Sequence, residues 1–291
     1  MKDVFKRFFF LVYTMIPFKK IIFIFVRKIW NPPQSIYQHL NFNGEFVVSI
    51  DNEKSFRIYN YGHLIENRIF WTGLRGSFEG RSLNLWIKLV KLSSCAIDVG
   101  SNNGLYSLTA KAVDPEVEVY AFEPVKRVYK KLVNNNNINN YGIFCINSAL
   151  SDIDGVGNIY DTGEDHVYSA TISNTTDGAG TLRKVSLTKL DSFVEDKNIC
   201  VDLIKIDVEG HEPEVLMGFI KNLSKFRPTM LIEVLTDEAG IKIQEIIGND
   251  EYLYFDINES GSVVQQKNIK KSSSYNYLIC QKKIARKLRL I

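Results

Sequence analysis

The stretch AIDVGSNNGLYSL, Ala96–Leu108, decides the fold. An apolar run of Cys95, Ala96 and Ile97 ends in Asp98, a turn from Gly100 to Gly104 follows, and Leu105, Leu108, Ala112 and Val113 then recur at helical spacing. This reads as strand, tight turn, helix. In an open α/β sheet such a turn lies at the carboxyl end of a strand, where ligands collect and a helix N-terminus presents N–H groups to an anion. Gly100 is expected to take a backbone angle closed to other residues, and Gly104 to let a ligand approach closely. The ligand pocket is expected to start here.

From Ser94 onward strand and helix alternate, which indicates a parallel doubly wound sheet. The expected strands after the first are Glu116–Phe122, Phe144–Leu150, Val201–Val208, Met230–Leu235, Tyr252–Ile257 and Tyr275–Gln281. Helices are expected over Val125–Val133 and from Pro213 through Leu223. Asn134–Asn140, six Asn and one Ile, reads as a solvated turn without function. Residues 151–190 interrupt the alternation with short β-like runs. Upstream, Glu45–Ile50 and Ser55–Tyr59 read as a hairpin turning at Asp51 and Asn52, and two helical patterns follow, one over Gly62–Gly76 and one carrying Leu83, Trp86, Ile87 and Val90. The expected organisation is a basic aromatic-rich arm (1–40), an extension of short strands and helices (41–93), an α/β domain (94–282) with a β-rich insertion (151–190), and a basic tail (283–291).

Charge is unevenly placed. Residues 1–30 hold seven Lys or Arg against one Asp, and residues 267–291 hold eight basic residues and no acid. The ends thus carry +6 and +8, so the middle of a chain with net charge +3 carries −11. An acidic body argues against nucleic acid as a partner. The basic ends suit an anionic surface such as membrane phospholipid. Two apolar runs in the arm, Phe8–Ile16 and Ile21–Val26, are split by Pro17, Lys19 and Lys20, which is too broken for a spanning helix and lacks a signal-peptide cleavage site. A cytoplasmic location is expected, at the inner membrane face if the arm binds lipid. The arm either lies in a membrane interface or packs on the domain or on a second subunit, which leaves a homo-oligomer open. Cys95, Cys145, Cys200 and Cys280 sit in apolar runs without a Cys-x-x-Cys pair, as expected of small buried hydrophobes in a reducing compartment.

The expected strand ends are acidic or polar one after another: Asp98, Glu123, Ser151 with Asp152, Asp207 with Glu209, and Glu233. Glu123 follows Gly104 by 19 residues, where an acid can take both hydroxyls of a ribose. The pairing of a glycine turn with an acid serves both nicotinamide enzymes and methyltransferases. Ser101, Asn102 and Asn103 between the glycines replace the Gly-x-Gly-x-x-Gly spacing that presses backbone on a pyrophosphate, so NAD is disfavoured. Asp98 facing an ammonium and the helix N-terminus facing a carboxylate suit the methionine end of S-adenosylmethionine.

DVGSNNGLYS, AFEP (Ala121–Pro124), ALSD (Ala149–Asp152), LTKLDSF (Leu187–Phe193) and above all IKIDVEGHEPEVLMG (Ile204–Gly218) resemble the FkbM-type methyltransferases. The resemblance covers about residues 94–236. It implies a class I, S-adenosylmethionine-dependent α/β fold, Rossmann-like and doubly wound, with a mostly parallel seven-stranded sheet and here an N-terminal helical and β extension. It also implies O-methylation of a sugar or polyketide hydroxyl. By resemblance, Asp98, Gly100, Asn102 and Gly104 would line the methionine part, Glu123 the ribose, and Ala149–Asp152, with Ser151 and Asp152, the adenine edge. Ser101 departs from the small Ala common in the family, and His211 occupies the variable position of the Asp207, Glu209, Glu212 box.

Methyl transfer needs an acceptor oxygen aligned with the methyl, water excluded, and the hydroxyl proton removed. Asp207 is the first candidate for base or acceptor-orienting group and His211 the second, with Glu209 beside them. No compact motif supports a metal. By the resemblance alone, the expected acceptor is a sugar hydroxyl in a bacterial surface glycan or its precursor. The alternatives are a lipid, secondary-metabolite or nitrogen acceptor, or a binding module without catalysis.

Overall fold

The computed structural model describes residues 18–77, 79–161, 170–172, 181–248 and 251–291. The apolar run Phe8–Ile16 lies outside them. The chain begins with helices α1 (Lys19–Ile29) and α2 (Gln34–Tyr37), a hairpin of β1 (Gly44–Ser49) and β2 (Ser55–Asn60), and helices α3 (Leu64–Thr72) and α4 (Gly80–Val90). The α/β part opens with β3 (Cys95–Val99), α5 (Leu105–Val113), β4 (Glu118–Phe122), α6 (Lys126–Asn139) and β5 (Phe144–Ile146). Then come β6 (Ala149–Leu150), β7 (Gly155–Asp161), β8 (Ala170–Ile172), β9 (Thr181–Thr188), α7 (Leu190–Lys197) and β10 (Leu203–Ile206). The remainder is α8 (Glu212–Met217), α9 (Ile220–Phe226), β11 (Thr229–Glu233), α10 (Asp237–Ile247), β12 (Tyr252–Ile257), β13 (Val263–Gln266), β14 (Asn276–Gln281) and α11 (Lys282–Lys287).

The main sheet has the order β13-β12-β14-β11-β10-β3-β4-β5. Strands β11, β10, β3, β4 and β5 pair in parallel, whereas β14, β12 and β13 pair antiparallel. The expected seven-stranded, mostly parallel sheet is therefore present with one further edge strand, β13, whose Val263–Gln266 run carries no alternation to announce it. The expected third strand is cut in two, because β6 leaves the main sheet after Ile146 and joins β9, β7 and β8 in a second sheet. Among the described residues of the stretch 151–190 are the strands β7, β8 and β9.

The period-two geometry of strands splits the core into two layers. Ala96, Ala121, Leu203, Leu231 and Leu278 face one layer with α4, α5 and the N-terminal extension; Ile97, Phe122, Ile204, Ile232 and Ile279 face the other with α7 to α10. Cys95 and Cys280 are buried as expected, Cys145 is half-buried and Cys200 is exposed, and all four are free.

The asparagine run is not a solvated turn. It forms the C-terminal half of α6, and its side chains satisfy the free edge of β2: Asn135 Oδ1 accepts from Tyr59 N at 2.9 Å and Asn139 Oδ1 from Arg57 N at 2.7 Å, while Asn139 Nδ2 donates to Arg57 O at 2.6 Å. A helix thereby blunts an otherwise unpaired strand edge. Asn135 is fully buried and also donates to Asn103 O, so the run ties the extension to the glycine turn. Among the described residues no helix is long and apolar enough to cross a membrane.

Candidate active site

On the layer packed against α4 and α5, each central strand carries an apolar residue at mid-sheet and a polar one two positions on. The pairs are Ala96 and Asp98 on β3, Leu203 and Lys205 on β10, and Leu231 and Glu233 on β11. Antiparallel β14 supplies Leu278 and, two residues earlier, Asn276, which is in register with Glu233. Lys205 is in register with Asp98 on one side and Leu231 on the other. One face of the sheet therefore turns from hydrocarbon to polar at its carboxyl end. Above that row opens a cavity of about 570 Å³, walled by the glycine turn, Glu123, the loop after β10, and residues from the extension and from the loop before β14.

At the turn, Asp98 Oδ2 accepts from both the amide and the hydroxyl of Ser107, at 3.0 and 2.6 Å, and so caps α5 from within. Glu123 accepts from Asn102 N at 3.0 Å and Val125 N at 2.8 Å. The amides of Gly100 and Ser101 are spent on Phe122 O. The turn is thus tied together by its own carboxylates. What it offers an anion is narrower than its sequence suggests, the first-turn amides of Leu105 and Tyr106. Burial pushes the Asp98 carboxyl up to about 6, against the pull of Ser107, and pushes Glu123 up to about 8 despite its two backbone donors.

The glycines have reasons other than the expected one for Gly104. A Cβ on Gly100, whose φ is +73°, would lie 1.9 Å from the carbonyl oxygen of Asp207, so β3 and β10 can approach only because that side chain is missing. Gly104, at φ +91°, meets Leu132 of α6 rather than the cavity, and it does not line the cavity. Its role is conformation and helix packing.

Beside Asp98, on the neighbouring strand β10, sits Lys205, 1% exposed. Its Nζ lies 3.1 Å from Asp207 Oδ2 and 3.7 Å from Glu79 Oε1, and 5.2 Å from the centre of the Tyr106 ring. Burial alone would lower the pKa of the ammonium, but Asp207, Glu79 and Glu233 together hold it above the ordinary lysine value. Three carboxylates around one cation leave an excess of negative charge; burial, outweighing the pull of Lys205, keeps Glu79 above the usual carboxylate range, and burial with Asp207 beside it does the same to Glu233. Glu79 Oε1 also accepts from Asn276 Nδ2 at 3.2 Å. The residue is placed by its neighbours: Glu259 accepts from Arg81 N at 2.7 Å and from the amide and hydroxyl of Ser82, capping the N-terminus of α4 from 177 residues away. Such a cap satisfies orphan amides and suits the helix dipole.

Of the residues singled out in the sequence, Asp98, Gly100, Asn102, Glu123, Asp207 and Glu209 line the cavity. Glu209 holds a left-handed φ of +57°, unusual for a non-glycine; burial, with Asp207 second, raises its pKa. Glu212 accepts from Val208 N and Gly210 N, both at 3.1 Å, and fixes the loop between them. Ser151, Asp152 and His211 do not line the cavity. Ser151 Oγ, 2.9 Å from His211 Nε2 and 3.1 Å from Asp152 Oδ1, gathers them into a cluster of its own, with Glu214 Oε2 3.6 Å from His211 Nδ1. Burial lowers the His211 pKa, so the ring is neutral and works as a hydrogen-bond link. The reason is topological: β6 turns away from the main sheet and carries Ser151 and Asp152 with it towards the second sheet. Lys205, Glu79, Tyr106, Glu259 and Asn276 were not singled out. Lys205 has a sequence signal, a lysine in the middle of the apolar run Leu203–Ile206; the others have none.

A doubly wound sheet with a glycine turn after its first strand, an acid after the next, and a carboxylate-rich cavity over the strand ends is the layout of an α/β enzyme that binds an adenosyl or nucleotide cofactor. The model of one family, described as the methyltransferase FkbM domain, matches residues 98–255. That is more than half of the chain, and the chain belongs to this family of methyltransferases. Its methyl donor is S-adenosylmethionine.

Solved structures of similar fold include the FkbM methyltransferase of Methylobacillus flagellatus, at 15% identity over 64% of this chain and 43% of that one with a TM-score of 0.43. The match spans less than half of that protein's length. Others are a SAM-dependent methyltransferase from Agrobacterium tumefaciens, 12% identical over 82% of this chain and 69% of that chain with a TM-score of 0.43, and a putative one from Streptococcus mutans, 12% identical over 82% and 55% with a TM-score of 0.41. No curated protein matches the sequence.

The cavity suits the donor on its own chemistry. Asn102 Oδ1, in the turn, is buried with no partner among the described residues, an acceptor for an ammonium or hydroxyl. The excess of carboxylates suits a sulfonium cation. Asp98, Asn102 and the amides of Leu105 and Tyr106 would hold the amino-acid end and Glu123 the ribose.

Proposed function

We propose that this methyltransferase transfers the methyl group to a hydroxyl of a sugar, within a bacterial surface glycan or its precursor. The observation that carries the reading is the part of the cavity over β10 and β11. It is lined by Glu79, Lys205, Asp207, Glu233 and Tyr106, hydrogen-bonding groups suited to a polyhydroxyl acceptor. An aromatic or acyl acceptor would leave those groups unpaired, which strongly disfavours it. Tyr106 adds a specific feature: its hydroxyl has no hydrogen-bond partner among the described residues although the residue is 6% exposed. Burial, with Glu79 and Glu259 nearby, holds its pKa well above the ordinary value, so it is available as a neutral donor.

The donor supplies an electrophilic methyl on a sulfonium, so the chain's residues have to orient the acceptor oxygen, exclude water and take one proton. Asp207 orients the acceptor hydroxyl, its charge held in place by the Lys205 ammonium at 3.1 Å. Glu79 is the better proton acceptor, being farther from the lysine at 3.7 Å and made more basic than an ordinary carboxylate by burial. Glu209, on its left-handed turn, closes the same wall. His211 does not line the cavity and is bonded to Ser151, so proton transfer is assigned to Glu79. Mass spectrometry of surface glycans from cells with and without the protein tests the acceptor: a methyl group lost from a sugar is expected, and an unchanged glycan methylation pattern would remove the sugar reading.

A further inference from the structure

Helix α1 is held to the body by one face only. Phe23, the buried residue of the helix, packs against Phe42 and Trp71 with ring centroids 6.4 and 5.5 Å away. Arg27 donates to Phe70 O and lies 4.7 Å from the centre of the Phe70 ring. Arg27 is therefore engaged in fastening the helix.

The outer face has the reverse composition. Phe18, Ile21, Phe25 and Ile29 are 75%, 65%, 64% and 72% exposed, and Ile22 lies beside them at 43%. Their spacing of three, four and four, at 100° per residue, sets them in a single stripe about 100° wide. By the same projection Lys28, exposed, borders the stripe about 20° from Ile21, whereas Lys19 lies about 40° from Phe23, across it from Arg27. Trp30, half exposed, stands at the end. The helix KKIIFIFVRKI contains no acid. A rigidly mounted apolar stripe of this kind is far more exposed than the scattered hydrophobic residues of an ordinary surface.

We infer that the outer face of α1 is a docking surface for an anionic phospholipid bilayer, with the stripe entering the interface and Lys28 meeting headgroup phosphates. Helices that lie in the membrane plane combine these features: a large apolar moment, basic flanks and an aromatic residue at the boundary. Charge selects this occupant over a second copy of the chain. Two such helices packed face to face would bring basic rims together with no acid on either to compensate. The preceding residues 1–17, with three basic residues and one acid, add to the same positive charge. Docking would also orient the enzyme, because α3 carries Phe70 and Trp71 on the side that holds α1 and lines the cavity with Leu64, Ile65 and Ile69. The cavity would then sit about two helix diameters, roughly 20 Å, from the lipid surface, with α3 and α1 between them.

The full chain should co-sediment with vesicles of phosphatidylglycerol and phosphatidylcholine, weakly with phosphatidylcholine alone, and less as salt is raised. The double variant Ile21→Glu with Phe25→Glu should lose binding about tenfold or more, and Lys28→Glu about fivefold per charge changed. Both variants should keep the affinity for S-adenosylhomocysteine, which reports an intact fold. No sedimentation with the anionic vesicles overturns the proposal, as does binding that the double variant leaves unchanged. So does a dimer in sedimentation velocity that Phe25→Glu splits, since the face would then belong to a second copy.

Discussion

The two ends of the cavity are built in different ways. At the cofactor end the deciding contacts are short in sequence: Asp98 to Ser107 spans nine residues, and Asn102 to Glu123 spans 21. At the acceptor end they cross the whole chain, with Glu259 capping α4 from 177 residues away and Asn276 donating to Glu79 from 197. The first end is a strand-turn-helix closed by carboxylates from its own strand and the next one, β4. The second exists only once the extension has been docked on the antiparallel strands. A constant chemistry and a variable substrate can therefore be housed in one cavity, because changing Glu79 or its supports leaves the donor seat untouched.

Separating the two ends by mutation tests this division. The largest effect is expected at the acceptor end from Lys205→Met, which strips Asp207, Glu79 and Glu233 of their shared cation; breaking a buried charge set of this kind costs on the order of 3–5 kcal/mol, read by chemical denaturation. A loss no larger than that of an exposed ion pair would show that the carboxylates are solvated and the site loosely held. Gly100→Ala, where the two ends touch, should cost on the order of 3 kcal/mol from left-handed strain and the collision with Asp207 O, with donor binding and turnover lost together.

Glu79→Gln is expected to slow turnover about 100-fold or more, as loss of a general base does, while calorimetry shows the donor still binding. Asp207→Asn should likewise retain the donor and slow turnover. Glu123→Ala should do the opposite, weakening the donor about tenfold through loss of charge-assisted hydrogen bonds. Should Glu79→Gln and Glu123→Ala weaken the donor equally, the distinction between the ends collapses.

Smaller effects are expected from pH. The carboxyls of Asp98 and Glu123 are shifted up by burial to about 6 and about 8, so both gain charge as pH rises from about 5 to about 8. S-adenosylmethionine, with its extra positive charge, should bind more tightly over that window, and S-adenosylhomocysteine should gain less. The same shifts mean that the folded state keeps these protons to higher pH than the unfolded chain, whose carboxylates titrate near 4. These two groups therefore make stability fall as pH rises from about 4 through about 8, and Asp98→Asn should flatten the lower part of that curve in thermal melts. The smallest change is Glu259→Ala, a lost helix cap worth about 1 kcal/mol. It should raise the acceptor KM by loosening Glu79 while the affinity for the donor stays fixed.

The sequence by itself determined the alternation of strands and helices, the glycine turn, the acids after β3, β4 and β10, and the family box that names the chemistry. These are local signals: a period of two or 3.6, a glycine where φ must be positive, an acid at a strand end. The structure decided what non-local packing decides. It turned an apparent solvated turn into the half-helix that covers the edge of β2, and it placed Ser151 and Asp152, after β6, in a cluster with His211 outside the cavity lining. It brought Glu79, Glu259 and Asn276 to a lysine that the sequence shows only as an oddity in an apolar strand. No spacing rule links residues nearly two hundred positions apart, since their meeting depends on the closing of the sheet and the docking of the extension upon it.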